Sequence, residues 1–302
     1  MRADCRRIAD DATLGTMIVK HLRKHARAFG QSLISAALAL PLAVAGAQAD
    51  AAETALKAEY LITISGLTVG KALVDGRFTD SGYAASISGS TYGLSRFVSN
   101  ATAVLAGNGR IRGTDVIPAS YNLDTDEKGF KTHVEMEMRA GTIVDLTAAP
   151  NLVPAPDRVP LTRGHTRDVL DPIGAFVVAL NQTGPGIGPA ACNRTVKVFD
   201  GWQRYDVKLT FKQSKHVVGG PGAYSGEVFV CKARYVPVAG HRSSRESVQY
   251  MADNKRLEVQ LVPIAGTRLL VPYRIVIGTK VGDLVILSRD FAVTAGQQAK
   301  AD

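Results

Sequence analysis

The chain has 302 residues, 46% of them hydrophobic and 21% charged, and a formal net charge of +9. Seven of its 36 lysines and arginines precede residue 50, so residues 50–302 carry 29 of them against 24 acidic residues. Those basic residues are interspersed with acidic ones, without an arginine-rich arm or a basic patch interleaved with aromatic residues. The composition therefore argues against nucleic acid as a partner and indicates an ordinary solvated surface.

The first 49 residues have the pattern of a secretory signal peptide. A basic region precedes an apolar stretch at residues 33–44, and an A-x-A cleavage site follows it. We expect cleavage between Ala49 and Asp50 and a periplasmic location. A start at Met17 gives a more ordinary signal peptide, which makes residues 1–16 an upstream extension. The apolar stretch is too short to prefer a membrane-spanning role, and no transmembrane span is expected in the mature chain.

From residue 56 to residue 138 the chain reads as short strands separated by turn residues. Strands are predicted at residues 60–65, 67–75, 83–90, 92–105, 115–123 and 131–138. Turns are predicted at Gly66, at the Asp-Gly pair of residues 75–76 and at the Gly-Asn-Gly run of residues 107–109. Strands at this regular spacing are typical of an antiparallel sandwich or barrel.

Prolines mark residues 150–160 as an extended connection inside a single β-rich domain, residues 50–302. One helix is predicted after this connection. Asp171 is a suitable N-cap, Pro172 fits the first helical position, and the Gly-Pro pair at residues 184–185 ends the helix. Its buried stripe follows helical spacing: Ile173, Phe176, Val177 and Leu180. We expect this helix to cover a sheet face or to plug the open end of a barrel.

The strongest local signal is a hairpin at Asp200-Gly201. Both residues tolerate a positive φ, which predicts a two-residue turn with Phe199 opposite Trp202. In this register the apolar residues of both strands share one face. That face consists of Val196, Val198, Tyr205, Val207, Leu209 and Phe211.

A disulfide is predicted between Cys192, just before the hairpin, and Cys231, in a third strand at residues 227–238. Such a bridge closes a loop of 39 residues, which would restrict the unfolded chain by roughly 4 kcal/mol. The alternative is two unconnected buried thiols. The bridge depends on export, because disulfides persist in oxidising compartments.

Further strands are predicted at residues 247–251, 256–262, 269–278 and 281–288. The predicted fold is therefore mainly β: an antiparallel, curved open barrel or sandwich-like sheet with one covering or plugging helix.

The sequence shows no catalytic motif and no histidine at metal-ligand spacing, so no catalytic residue, metal or cofactor is assigned. Asp168 and Asp171 could form a carboxylate pair near His165, which leaves a hydrolase as an alternative. Helix capping explains the two carboxylates more simply.

Four segments resemble a bacterial envelope family, domain-of-unknown-function family 3108. They are IPASY at residues 117–121, DVLDPIGAF at residues 168–176, VFDGWQRY at residues 198–205 and VPYRIVIG at residues 271–278. The resemblance spans nearly the whole mature chain. It implies an exported, β-rich protein without an assigned catalytic residue.

These observations favour a non-catalytic binding or scaffolding role in maintenance of the cell envelope. A curved sheet around a helix can enclose a cleft lined by tyrosine, phenylalanine and aliphatic residues, which suits a hydrophobic ligand. The expected partners are a lipid, a lipoprotein acyl chain or a cell-wall component. A filled core, a protein–protein adaptor and an envelope hydrolase acting on wall polymer or lipid remain alternatives, and the oligomeric state is left open.

Overall fold

The computed structural model describes residues 53–92, 100–182 and 187–296. The predicted signal peptide and its cleavage site lie outside these residues. The strands are β1 (Thr54–Ile64), β2 (Leu67–Phe78), β3 (Gly82–Thr91), β4 (Ala101–Arg112), β5 (Asp115–Glu127), β6 (Phe130–Arg139), β7 (Thr142–Ala149), β8 (Val178–Ala179), β9 (Arg194–Phe199), β10 (Arg204–Val217), β11 (Gly226–Ala239), β12 (Leu257–Pro263), β13 (Leu269–Thr279) and β14 (Gly282–Ala295). The described helices are α1 (Gly188–Cys192) and α2 (Glu246–Asp253), with 3-10 turns at Arg163–Thr166 and Gly174–Phe176.

All of these strands belong to one antiparallel sheet, which confirms the predicted mainly β fold. Its order is β7-β6-β5-β4-β3-β2-β1-β14-β13-β12-β11-β10-β9, and β8 pairs with β13. Most neighbours in the sheet are also neighbours in sequence, whereas β1 pairs with β14 and thereby joins the two halves. Among the described residues β7 and β9 form the two edges, so the sheet stays open.

The two edges of the sheet approach each other. Leu170 forms a parallel bridge with Val198 of β9, while the N–H of Val169 donates to the carbonyl of Gly141 in the β6–β7 turn. A Cβ at Gly201, in the β9–β10 loop, would lie 2.8 Å from a methyl of Val134 in β6. The sheet therefore curves far enough to bring its ends together, with residues 169–170 as a strap between them.

The helix predicted from Asp171 and Pro172 is wrong. The chain makes one 3-10 turn, Gly174–Phe176, and then continues as strand β8. Strand β8 pairs with Leu269 and Leu270 of β13, so pairing with a residue far along the chain overrides the helical spacing. The predicted helix end at residues 184–185 lies outside the described residues.

Three other local predictions are also wrong. The Asp-Gly pair at residues 75–76 lies within β2, residues 107–109 lie within β4, and residues 247–251 form part of α2 rather than a strand. Gly107 illustrates the reason. A Cβ there would lie 2.9 Å from the Cβ of Ile173, so the missing side chain permits close packing of two segments and does not mark a turn.

The hairpin between β9 and β10 is present, but its loop is longer than the predicted two-residue turn. Phe199 pairs with Arg204, so residues 200–203 form the loop and the expected pairing of Phe199 with Trp202 is wrong. The register moves by two residues in total, which leaves every side chain on its predicted face. Tyr205 and Val207 accordingly pack on the cluster that contains Val198.

Asp200 explains the longer loop. Its carboxylate accepts hydrogen bonds from the N–H groups of Trp202 at 2.9 Å and Gln203 at 2.7 Å. Gly201 supplies the left-handed backbone, with φ at +105°. An aspartate that bonds to the backbone two and three residues ahead closes a wider loop than a two-residue turn.

The disulfide between Cys192 and Cys231 is present, with a Cα–Cα distance of 5.4 Å. It joins the last residue of α1 to β11, and both cysteines are fully buried. The surrounding apolar cluster lies apart from the larger cluster inside the curved sheet. The bridge therefore anchors α1 to the sheet.

Candidate functional site

An apolar cavity of about 320 Å³ lies on the inner face of the sheet. Strands β1 to β4, β13 and β14 form its walls, and residues 173–177 cover it. Among the described residues that line it, all are apolar or glycine except Tyr60. The Tyr60 hydroxyl donates to the carbonyl of Pro272 at 2.5 Å, so this polar group is already satisfied. Burial raises the pKa of Tyr60, which keeps the phenol neutral.

The cavity opens toward one end of the strands. Leu56 and Phe78 at its closed end are only 1% and 2% exposed. Ile62, Ala103 and Ile286 line the other end and are partly exposed. This gradient places the mouth at the end of the sheet that carries the β1–β2 and β13–β14 turns.

The cover of the cavity begins at Asp171, which is fully buried. One carboxylate oxygen accepts the N–H groups of Ile173 at 2.7 Å and Gly174 at 3.0 Å. A Cβ at Gly174 would lie 2.7 Å from the Tyr83 hydroxyl, so the cover sits directly on the sheet. Phe176 lies at the edge of the cavity and is 40% exposed.

Asp171 is a buried ionisable group at the start of this cover. Burial raises its pKa from 3.8 to about 6, although its backbone hydrogen bonds act in the opposite direction. Its second oxygen interacts with the Tyr83 hydroxyl, and neither atom has a well-oriented hydrogen bond among the described residues. Burial and this carboxylate together raise the pKa of Tyr83. The anchor of the cover is therefore electrostatically costly when ionised.

The residues of the hydrolase alternative do not form a catalytic group. The Asp168 side chain is 83% exposed and pairs with Lys197, whereas Asp171 is buried at the start of the cavity cover. His165 accepts the N–H of Thr162 at its Nδ1, 3.1 Å away. Among the described residues no contact joins the three side chains.

The predicted site residues Trp202 and Tyr205 make contacts within the fold. The Trp202 indole donates to the carbonyl of Pro150 at 2.9 Å, and the rings of Tyr205 and Tyr235 lie 5.3 Å apart. The cavity wall itself was predicted only as a generic aromatic and aliphatic cleft, without its small residues Ala72 and Ala103. Alternation along the strands was the available signal for these positions, but alternation does not distinguish a cavity from a filled core.

Within the described ranges, no group of three His, Cys, Asp or Glu side chains is arranged to hold a metal ion. No helix in the same ranges is both long and apolar enough to cross a membrane.

Comparisons with known proteins identify a family and a similar solved structure. A family described as "Protein of unknown function (DUF3108)" matches residues 59–287. No curated protein matches the sequence. A crystal structure of a beta-barrel-like protein of domain of unknown function DUF1849 from Brucella abortus aligns with a TM-score of 0.45 and 12% identity. The alignment covers 82% of this chain and 98% of that one.

Proposed function

The chain belongs to the DUF3108 family, and we propose that it is an exported cell-envelope protein that holds one apolar molecule, such as a lipid acyl chain, in the cavity. The observation that carries this proposal is the described part of the cavity wall, in which Tyr60 alone has a polar side chain, and that hydroxyl is already hydrogen-bonded. A polar ligand would lose its hydration there without compensation. An apolar chain gains free energy from the same transfer.

The size and shape of the cavity support this ligand class. Its volume of about 320 Å³ lies at the lower end of the range of about 300–1,000 Å³ that is typical of small-molecule sites. The mouth at one end lets the polar end of a lipid remain in solvent while its chain lies inside. Export through the predicted signal peptide would place the protein beside envelope lipids.

A series of saturated fatty acids of increasing length tests the ligand class. Each methylene that enters the cavity should add about 0.8 kcal/mol to the binding free energy, roughly a fourfold tighter Kd. The gain should stop once the cavity is filled. Displacement of a fluorescent fatty acid measures this series, and affinity that is independent of chain length would contradict the proposal.

Ala103→Phe should block the same binding, because the added ring enters the cavity near its mouth. Val104→Phe is the matched control, since Val104 is the next residue of β4 and is 52% exposed. We expect Ala103→Phe to weaken binding at least tenfold and Val104→Phe to leave it unchanged. Equal effects of the two variants on binding would show that the fatty acid does not bind in the cavity.

Tests of the cellular location and of the natural ligand require protein purified from the native host. Mass spectrometry of that protein should find an N-terminus at Asp50 in the periplasmic fraction, together with a bound lipid. Protein that keeps residues 1–49, or that is consistently free of ligand, would count against this role. A single dominant crosslinked protein partner would favour the adaptor alternative.

A further inference from the structure

A second concave site lies at the same end of the strands as the mouth of the apolar cavity. This groove has a volume of about 710 Å³ and runs between residues 150–155, the β9–β10 loop and the start of α2. Trp202 and Phe130 are among its walls. Phe130 is 65% exposed, although it is a large apolar side chain. The described lining residues of the groove differ from those of the apolar cavity.

Hydrogen bonds hold the groove in shape. Arg158 donates from Nε to the carbonyl of Val153 at 3.0 Å and from Nη1 to the carbonyl of Gly240 at 2.6 Å. Asp157 accepts from Nε of Arg242 at 2.8 Å and from the hydroxyl of Ser244. These bonds tie residues 153–158 to residues 240–244. The groove is thus preorganised.

The charge of the groove is positive. Arg158, Arg242 and Arg245 line it, and none of its described lining residues is acidic. Hydrogen bonds from Ser244 and Arg242 lower the pKa of the nearby Asp157 to about 2, so this carboxylate is committed to its partners. Arg245 is exposed and makes no side-chain hydrogen bond or ion pair among the described residues. Its guanidinium is available to a ligand.

The N-terminus of α2 opens into the groove, where Arg245, Ser247 and Val248 are lining residues. The N-cap residue is Arg245, and no side chain in the described part of the protein caps the helix. Arginine has only donors and cannot accept a helical N–H. An uncapped helix N-terminus presents free N–H groups and a partial positive charge, which favour an anion.

His241 supplies an independent polar group on the groove wall. It is only 8% exposed, and its Nδ1 has no hydrogen-bond partner among the described residues. Buried polar atoms are normally hydrogen-bonded. A ligand oxygen that displaces the atoms around this enclosed nitrogen would satisfy a group that the protein leaves unpaired.

We propose that this groove binds a phosphate-bearing small molecule. The start of α2 and the guanidinium of Arg245 take the phosphate, His241 contributes a further hydrogen bond, and the ligand body packs against Trp202. Arginine suits phosphate because its planar fork of donors matches the phosphate oxygens. This site is independent of the apolar cavity, and either site can fail without the other.

Trp202 is the only tryptophan in the chain, so intrinsic fluorescence reports on the groove directly. Titration with glucose 1-phosphate should give a saturable change that weakens as ionic strength rises, whereas glucose should give none. Inorganic phosphate and phosphatidylglycerol vesicles separate the possible sources of the anion. A response to vesicles without one to either soluble phosphate would assign the phosphate to a lipid headgroup.

Arg245→Glu should weaken this binding at least tenfold, because it reverses the charge at the helix start. The substitution keeps the backbone bonds from Val248 and Gln249 to the carbonyl of residue 245. Arg234→Glu is the matched control, since Arg234 is exposed on β11 and does not line the groove. The proposal is overturned if no phosphate probe gives a saturable signal, if glucose binds as well as its phosphate, or if both variants behave alike.

Discussion

Replacing Cys192 and Cys231 together by alanine is expected to lower the free energy of unfolding by at least about 4 kcal/mol. The bridge closes a loop of 39 residues, and the loss of loop-closure entropy in the unfolded chain accounts for roughly this amount. Both cysteines are fully buried in an apolar cluster, so the two truncated side chains should add a smaller packing cost. Urea denaturation measures the change as a shift of the midpoint.

Reducing the disulfide of the wild-type protein distinguishes the contribution of the bridge to stability from the contribution of side-chain packing. The reduced protein keeps both sulfur atoms, so its loss of stability should approach 4 kcal/mol without the truncation of the side chains. The double alanine variant should not respond to the reductant. Identical unfolding curves for oxidised and reduced protein would contradict a structural role for the bridge.

Asp171→Ala is expected to lower the free energy of unfolding by about 3 kcal/mol, whereas Asp171→Asn should cost little at neutral pH. Alanine leaves the buried N–H groups of Ile173 and Gly174 without their acceptor, and each unsatisfied group costs about 1–3 kcal/mol. Asparagine retains an oxygen that can accept both. Because this residue anchors the cavity cover, Asp171→Ala should also weaken fatty-acid binding.

The free energy of unfolding should depend on pH because the pKa of Asp171 is raised in the folded protein. Its carboxyl has a pKa of about 6 in the folded protein against 3.8 ordinarily, so between these values the folded state binds a proton that the unfolded state has lost. The resulting stabilisation is fully present below about pH 3.8 and is lost as the pH rises through about 6. Asp171→Asn removes this dependence.

Unfolding by urea at several pH values between 4 and 7 measures this difference. Burial raises the pKa of Asp200 in the same direction, but Asp200 is present in both proteins and cancels in the comparison. The stability of wild type relative to Asp171→Asn should therefore fall across this range. Parallel curves would show that Asp171 is not a buried titrating group.

Alternation of apolar and polar residues predicted most of the strands, because each strand of this sheet turns one face toward a core. A carboxylate followed by Pro172 suits a helical start, and the Asp171 carboxylate does accept from the N–H groups of Ile173 and Gly174. The Asp-Pro pair could not predict how many residues of helix follow it. Strand β8 forms only because Leu269 and Leu270 of β13 offer hydrogen-bonding partners, and that pairing is invisible to a local window.

The candidate sites were less predictable than the strands. Ala72, Ala103 and Ile286 come from strands that are far apart in sequence, and they share a cavity because the sheet curves. The groove likewise combines Trp202 with residues 150–155 and the start of α2. Residues 247–251 were expected to be a strand, which concealed the helix N-terminus that faces the groove.

By itself the sequence determined the β-rich class of this protein and the faces of its strands, and it indicated the pairing of Cys192 with Cys231. These properties depend on side-chain period and cysteine number, which are local or countable. Only the tertiary structure decided that the interior keeps a cavity, that residues 173–177 cover it, and that three arginines line one groove. Those features depend on sheet curvature and long-range pairing, which no short stretch of sequence encodes.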